Sequence, residues 1–416
     1  MLAVWLLAHP ASIPTDDAFF FVKGVEHFSV LEFRPHFPGY PGFIALGKLG
    51  VFLGGEAQQA VFFLSALSVL SLPPLAAWAA KSNGASQLGA LLIFAVTLTQ
   101  PFLPLVGLSM MSDGTGIAFL LAAFAFWGLG RNGWGGVMAG MALACRPSFL
   151  VPVVLAVGAV WFLQKDRQGK LMIGFLGTLG VFFGVVVTLE GVSYFLEGVR
   201  FVEGHFMTWG NTALAEDIQR GGWLDSFTRE PIAFGCFVAL SIISVWSGVR
   251  RLEYTPLALA AIGSLLWTLL AQNPENLRHV LLPAVLLSLL MVIQVTKKEA
   301  FSLATLILVQ ASILIPVVLT PVKTSPMEEV IDVLQNYPAG LVISNRGVAY
   351  LRSSLNQHRI SDAFYKQSTI HLADEFVDGS VWRLIASPGS PKHSSIKAQS
   401  FGGRVPGEMS LWLLAQ

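Results

Sequence analysis

Charged residues are scarce in this chain. Of its 416 residues, 12% are Asp, Glu, Lys or Arg, whereas a soluble domain has about 25%. Hydrophobic residues make up 54% of the chain, and its mean hydropathy is +0.65. This composition excludes an ordinary soluble protein and predicts a polytopic membrane protein whose partner is the lipid bilayer.

The chain also lacks an excess of charge of either sign. Its formal net charge is +1 at pH 7 and its isoelectric point is about 7.8. Nucleic-acid binding normally needs a basic surface. We therefore expect no nucleic acid among its partners.

Cysteine is nearly absent, because the chain has only Cys145 and Cys236, both inside apolar runs. Two such residues provide neither a disulfide framework nor a zinc site. We expect both to be buried packing residues.

Long apolar runs, in contrast, are abundant. A helix needs about 20 mainly apolar residues to cross a bilayer, and this length predicts about eleven transmembrane helices. The predicted spans are residues 1–13, 59–80, 86–108, 114–130, 134–147, 148–163, 171–190, 231–249, 256–272, 279–295 and 301–322. Arg146-Pro147 interrupts one stretch, which predicts either two short helices or one kinked helix. The 1–8 run resembles the truncated start of a first span rather than a removable signal peptide.

The positions of the cations predict the orientation, because cytoplasmic loops are enriched in Lys and Arg. A cytoplasmic N-terminus places one set of cations inside: Lys81, Arg131, Lys165, Arg167, Lys170, Arg250, Arg251, Lys297 and Lys298. Residues 14–58, the 191–230 loop and everything after 322 then lie outside. Counting the apolar 38–55 segment as a span would reverse this pattern, so we interpret it as an interfacial helix within the first outer loop.

After Pro326 the composition becomes that of a soluble domain. We therefore divide the chain into a transmembrane region, 1–325, and a small extracytoplasmic α/β domain, 326–416. The patterns predict helices over 327–337 and 348–355, strands over 340–344, 381–386 and 409–414, and an exposed Gly/Ser-rich loop over 387–403.

Ionisable residues recur where predicted spans meet the outer side. They are Asp16, Asp17, Arg34, His36, Asp113, Arg146, Arg278 and His279. Each has a simpler interpretation: the acids favour helix N-termini, and the cations anchor in the headgroup region. Adjacent helical residues point about 100° apart, so only one of Asp16 and Asp17 faces a given cavity.

Together, acids and cations at one depth suit sugar transfer from a polyprenyl phosphate. A carboxylate takes the proton of the acceptor hydroxyl, and arginine stabilises the charge that develops on the leaving phosphate. The lipid tail of such a donor needs a groove in the membrane beside the site.

These motifs resemble the GT-C superfamily of integral membrane glycosyltransferases, especially the branch of protein O-mannosyltransferases and the lipid A aminoarabinose transferase. The similar elements, in order, are Asp16-Asp17, the proline-rich turn and helix over 34–49, Ser112-Asp113-Gly114-Thr115, the small-residue helix ending in Arg146-Pro147, and Arg278-His279 with its Leu-Pro run. Many members also end in a small outer α/β domain. Two features differ from that family: Asp17 stands where Glu is commoner, and Arg34-Pro35-His36 replaces a Glu-Lys-Pro-Pro motif.

The resemblance implies a GT-C fold and an inverting transfer to a lipid, glycan or protein acceptor in the inner membrane. It implies catalytic roles for Asp16, Asp17 and Asp113, with Asp16 as the general base. The donor phosphate would be held by Arg34, His36, Arg146, Arg278 and His279. Some members hold a divalent cation with acids of two outer loops, here Asp16 and Asp113. We expect no metal or other cofactor.

Two other functions remain open from the sequence. A flippase or transporter of lipid-linked glycans would place its coupling groups near the bilayer midplane, whereas the acids here lie at outer helix ends. An inactive scaffold protein with the same fold would make the carboxylates incidental.

Overall fold

The structure is a computed structural model that describes residues 1–164, 168–209, 222–248, 255–344, 346–363, 380–386 and 398–415. Four cations used to predict the orientation, Lys165, Arg167, Arg250 and Arg251, lie outside these residues. The helices are α1 Leu2–Leu7, α2 Asp16–Glu26, α3 Pro41–Phe52, α4 Ala57–Ser82, α5 Gln87–Leu98, α6 Leu103–Leu108, α7 Asp113–Gly128, α8 Asn132–Cys145, α9 Leu150–Leu163, α10 Gln168–Glu190, α11 Ser193–Trp209, α12 Trp223–Arg229, α13 Pro231–Gly248, α14 Thr255–Ala271, α15 Leu281–Ile293, α16 Lys297–Leu319, α17 Pro326–Gln335 and α18 Val348–Ser354.

The predicted fold class is confirmed: the chain is a polytopic helical membrane protein with a small C-terminal α/β module. By length and composition alone, α4, α10 and α16 can each cross a membrane, and several shorter apolar helices accompany them. Large apolar side chains stay exposed along these helices, as in α10, where Ile173 and Val181 face outward. Such a surface suits lipid.

Two predicted spans are interrupted by proline. Helix α1 ends at Leu7, short of the predicted residue 13, and the predicted 86–108 span is divided into α5 and α6. Pro10 and Pro101 explain both breaks, because proline has no N–H and disfavours helical backbone in the residue before it. Pro147 acts similarly, so the interrupted stretch forms two helices, α8 and α9, joined by a 3₁₀ turn over Pro147–Phe149.

The predicted 191–230 loop is largely helical in its described parts, because it contains α11 and α12. Helix α11 is amphipathic: its Tyr194 and Gly198 pack against the ring of Phe37, whereas Leu196 and Val199 are exposed. The polar residues of this segment suggested a loop. The apolar residues of α11 nevertheless recur at helical spacing, which is the pattern that indicates an amphipathic helix.

The C-terminal module contains a mixed five-stranded sheet. Its strands are β1 Gly340–Ser344, β2 Arg359–Asp362, β3 Ser380–Ala386, β4 Ala398–Phe401 and β5 Leu411–Ala415, in the order β2-β1-β3-β5-β4. β1 pairs in parallel with β2 and β3, and β5 pairs antiparallel with β3 and β4. The predicted helices and strands are confirmed apart from their ends.

Strands β2 and β4 differ from the sequence-based prediction, which contains neither. β4 falls inside the predicted 387–403 loop, whose residues 387–397 lie outside the described part of the chain. Its residues 398–400 are exposed at the sheet edge, so no buried apolar alternation marked it as a strand.

Glycines allow α8 and α10 to pack closely. A Cβ built on Gly174 of α10 would overlap the carbonyl oxygen of Gly133, and one built on Gly136 would overlap the carbonyl oxygen of Leu171. Small residues at such crossings let helix backbones approach each other, which is the usual basis of helix association in membranes.

We predict that Gly174→Leu destabilises the protein by about 1–3 kcal/mol, because backbone atoms cannot move aside for the new side chain. Thermal unfolding in detergent measures this effect. Gly177→Leu on the same helix is the matched control, since a Cβ there meets no atom within 4 Å. Equal melting temperatures for the two variants would contradict this description of the α8–α10 crossing.

Candidate active site

Asp113 and Arg146 meet because they lie at the two open ends of one helical hairpin. Helices α7 and α8 contain 16 and 14 residues and are joined by a short turn. At about 1.5 Å per residue their lengths are nearly equal, so the start of α7 and the end of α8 lie at the same level. Nη2 of Arg146 is 3.0 Å from Oδ1 of Asp113.

Both side chains are almost completely buried, with exposed fractions of 5% for Arg146 and 2% for Asp113. Asp113 lies in the first turn of α7 and Arg146 follows the last turn of α8, where the helix dipoles favour these charges. Gly116 leaves room for the pair, because a Cβ there would lie 2.7 Å from Cβ of Arg146.

A second arginine approaches Asp113 from the turn before α15. Arg278 lies in a 3₁₀ turn over Leu277–Val280. Its Nε is 3.7 Å from Oδ2 of Asp113, and its Nη2 is 3.6 Å from Oδ2 of Asp17. Nδ1 of His279 is 3.9 Å from Oδ1 of Asp113. We call Asp17, Asp113, Arg146, Arg278 and His279 the charged cluster.

Asp16 and Asp17 point to different neighbours, as their angular separation predicts. The side chain of Asp17 is 45% exposed and turns towards Arg278. Oδ1 of Asp16 instead accepts a hydrogen bond of 3.0 Å from the backbone N–H of Tyr350 in α18. The expected base, Asp16, therefore faces the C-terminal module, and its neighbour belongs to the charged cluster.

Arg34 and His36 also lie outside the charged cluster. The Arg34 guanidinium forms an exposed ion pair with Glu32 of its own loop, with an N–O distance of 3.4 Å. Nε2 of His36 is 3.0 Å from the hydroxyl of Tyr40, and its ring stacks on Phe201. Arg34 thus contacts its own loop, whereas His36 lies between Tyr40 and α11.

Tyr40 joins this aromatic turn to the charged cluster and was not among the predicted site residues. The Arg146 guanidinium lies 5.8 Å from the centre of its ring, a cation–π distance. Its backbone has φ of +47°, in the left-handed region. A tyrosine before Pro41 gives no sequence signal for this geometry.

Several buried polar atoms of the site have no hydrogen-bond partner among the described residues. They include Nε of Arg146, Nε of Arg278 and Oδ2 of Asp113. Buried N–H groups normally have an acceptor. Two N–H groups without a hydrogen bond, on two arginines that both contact Asp113, therefore suit an anion such as a phosphate. Among the described residues, no group of three or more His, Cys, Asp or Glu side chains converges as a metal site.

We predict that Arg146→Met lowers the free energy of unfolding by about 3 kcal/mol, because it leaves Asp113 as a buried acid short of a partner. Arg34→Met is the matched control and should change stability by less than about 0.5 kcal/mol, since its ion pair is exposed. Thermal unfolding in detergent compares the two. Equal decreases in stability for the two variants would contradict a larger contribution of the buried Asp113–Arg146 pair to the free energy of unfolding.

The pKa of Asp16 gives a second prediction. Burial raises the pKa of this carboxyl to about 6 from 3.8, the Tyr350 N–H opposes the increase, and the negative charge of Asp17 adds to it. The folded protein then binds more protons than the unfolded chain between about pH 4 and pH 6, so this group's contribution to stability declines as the pH rises through that window.

Asp16→Asn removes this titration. We therefore expect the melting temperature of the parent protein, relative to that of Asp16→Asn, to fall as the pH rises from about 4 to about 6. Melting curves over this pH range measure the difference. A constant difference would contradict a carboxyl that is buried against α18.

No protein-family model matches the sequence, and no curated protein matches it. The fold is similar to the crystal structure of ArnT from Cupriavidus metallidurans bound to undecaprenyl phosphate, with a TM-score of 0.52, 12% identity and coverage of 100% of this chain and 96% of that chain. The apo state of that protein gives a TM-score of 0.49 at 13% identity, with coverage of 100% of this chain and 96% of that chain. The archaeal oligosaccharyltransferase AglB from Archaeoglobus fulgidus, in complex with an inhibitory peptide and a dolichol-phosphate, gives 0.47 at 9% identity, covering 92% of this chain and 68% of that chain. With this similarity along its whole length, the chain is a polytopic membrane protein with the GT-C fold.

Proposed function

We propose that this protein is a glycosyltransferase that moves a sugar from a polyprenyl-phosphate donor to an acceptor hydroxyl. One observation carries the proposal: the accessible carboxylate of Asp17 lies 3.6 Å from Arg278, which shares Asp113 with the buried Arg146. The fold supports it, because a protein of this fold has been crystallised with undecaprenyl phosphate.

The cations of the charged cluster are the proposed phosphate-binding groups. The Nε–H groups of Arg146 and Arg278 make no hydrogen bond among the described residues, so both can donate to phosphate oxygens. Arg278 is also 12% exposed at its side chain, which leaves it accessible from the same side as Asp17. His279, which lies next in the chain, supplies a further ring nitrogen to the site.

Asp17 is the proposed general base. The acceptor oxygen attacks the anomeric carbon, the bond from that carbon to the phosphate oxygen breaks, and its electron pair stays on the phosphate. The acceptor proton goes to the Asp17 carboxylate. Attack opposite the leaving phosphate inverts the anomeric carbon. Arg146 and Arg278 stabilise the phosphate charge more strongly as it grows, which lowers the barrier.

Asp113 has a positioning role in this mechanism. Its oxygens face Arg146 and Arg278, so its negative charge fixes both guanidinium groups. A divalent cation between Asp16 and Asp113 would need the Asp113 oxygens that already face the two arginines. Asp16 is itself hydrogen-bonded to α18. The proposed mechanism therefore contains no metal ion.

The proposed location is the outer face of the inner membrane, with the N-terminus in the cytoplasm and the C-terminal module outside. The positions of the cations in the sequence support this orientation. The acceptor is a lipid, a glycan or a protein that reaches Asp17 from its exposed side.

Asp17→Asn tests the base directly. We expect its kcat to fall about 10³-fold, because the acceptor proton loses its acceptor group. Asp16→Asn, one residue away, should lower kcat by less than about tenfold, the equivalent of one hydrogen bond. Sugar transfer from purified polyprenyl-phosphate sugars, followed by product analysis, measures both rates.

Binding of undecaprenyl phosphate to Asp17→Asn is the accompanying control and should remain close to that of the parent protein. Full turnover in Asp17→Asn would overturn the assignment of the base. Translocation of the lipid donor in liposomes without any glycosidic product would show a flippase instead.

A further inference from the structure

The turn between β4 and β5 leaves the C-terminal module and packs into the membrane region. We call residues 402–408 the module turn. Val405 is buried with the main hydrophobic core of the membrane region, not with the core of the module. Gly407 has a φ of +84°, and a Cβ there would lie 2.9 Å from Leu105 and 3.3 Å from Leu277. The turn therefore occupies a fitted position beside α6 and the Arg278 turn.

Arg404 is the charged group at the centre of this contact. It is 9% exposed, and its guanidinium pairs with Glu408 at 2.6 Å within the module turn. Its Nη1 also donates to the hydroxyl of Ser12 at 3.1 Å, and its Nη2 donates to the backbone carbonyl of Leu108 at 3.4 Å. One side chain thus bonds two separate segments of the membrane region.

The Leu108 carbonyl lies only a few residues before Asp113 in the chain. Leu108 is the last residue of α6, where backbone carbonyls have no partner within the helix. Residues 109–112 then lead directly to Asp113. Met110 in this link has a φ of +56°, a conformation that a side chain of this size adopts only when its surroundings hold it.

The module also contacts two other segments that carry residues of the charged cluster. Nη2 of Arg346 is 2.6 Å from Oε2 of Glu275, shortly before Arg278. The N–H of Tyr350 holds Asp16, the neighbour of Asp17. Each segment that brings an acid or a cation from α2, α7 or the Arg278 turn therefore has a polar contact with the module close by.

Stability alone does not account for a buried arginine in this position. Well-packed apolar residues often stabilise a protein as much as a buried ion pair does, or more. A guanidinium offers fixed directions instead, because its planar group donates to several acceptors at once. Arg404 bonds Glu408, Ser12 and Leu108 at the same time, which suits a residue that fixes the relative positions of these segments.

We propose that the C-terminal module is a clamp that sets the geometry of the charged cluster, with Arg404 as the positioning residue for Asp113. This inference rests on the proposed function and deepens it. Arg404 touches neither donor nor acceptor in this proposal. It holds residues 109–112, and these residues position Asp113. Asp113 in turn orients Arg146 and Arg278.

The test is the double variant Arg404→Met with Glu408→Gln, which removes the contact without leaving an uncompensated buried charge. We expect its kcat to fall about 10²-fold, because a misplacement of about 1 Å costs that much. The KM for the donor should change less than about threefold, since the phosphate-binding cations remain. Arg404→Lys should recover part of the loss.

Arg352→Met is the matched control in the same module. The Arg352 guanidinium bonds the carbonyl of Ile360, inside the module, so its removal should leave kcat unchanged. A double variant with at least half of the parent kcat, or a loss confined to KM, would overturn the role of Arg404.

Thiol labelling provides a measurement independent of turnover. Ser109 is buried and donates to a carbonyl three residues earlier, as Ser264 of α14 also does. In the double variant, Ser109→Cys should react with a maleimide about tenfold faster than in the parent, because the link opens locally. Ser264→Cys should not change, whereas general unfolding would expose both.

Labelling also separates this inference from the proposed function. A parent protein without sugar transfer would refute the function, yet faster labelling at position 109 would still show that Arg404 holds the link. An active parent whose position 109 stays unreactive in the double variant would refute the clamp alone.

Discussion

The buried negative charge of Asp113 is the constraint on which the rest of the site depends. An uncompensated carboxylate in a medium of low dielectric constant is costly, so it needs cations that are held in place. Arg146 and Arg278 provide them from two different hairpins. The same charge keeps the two guanidinium groups close together despite their mutual repulsion. In the proposed mechanism, this pairing places both guanidinium groups for the donor phosphate before the donor binds.

Membrane topology makes this arrangement attainable with short motifs. Helix ends on the same side of the membrane share one depth. The chain therefore needs only one acid or cation at each of these ends, and no long contiguous motif. The helices themselves provide complementary dipoles at Asp113 and Arg146. Glycines such as Gly116 then let residues that are distant in the sequence come into contact.

The sequence therefore predicts the fold well, and four of the residues that it singles out lie together in the structure. Asp113, Arg146, Arg278 and His279 were found because charges at the ends of apolar spans are conspicuous. Arg34 pairs with Glu32 of its own loop and His36 packs between Tyr40 and Phe201, and such partners cannot be read from spacing in the sequence. Arg404 was missed altogether. Two glycines before it suggested an exposed loop, and its partners Ser12 and Leu108 lie 392 and 296 residues away in the chain.

The position of the module turn near the end of the described chain has a consequence for biosynthesis. Ribosomes complete the membrane helices, with every charged residue of the cluster, before residues 402–408 emerge. Until then Leu108 and Ser12 lack the guanidinium that joins them. On the clamp proposal, a partly synthesised chain in the bilayer stays inactive towards its lipid donor until residues 402–408 have been translated.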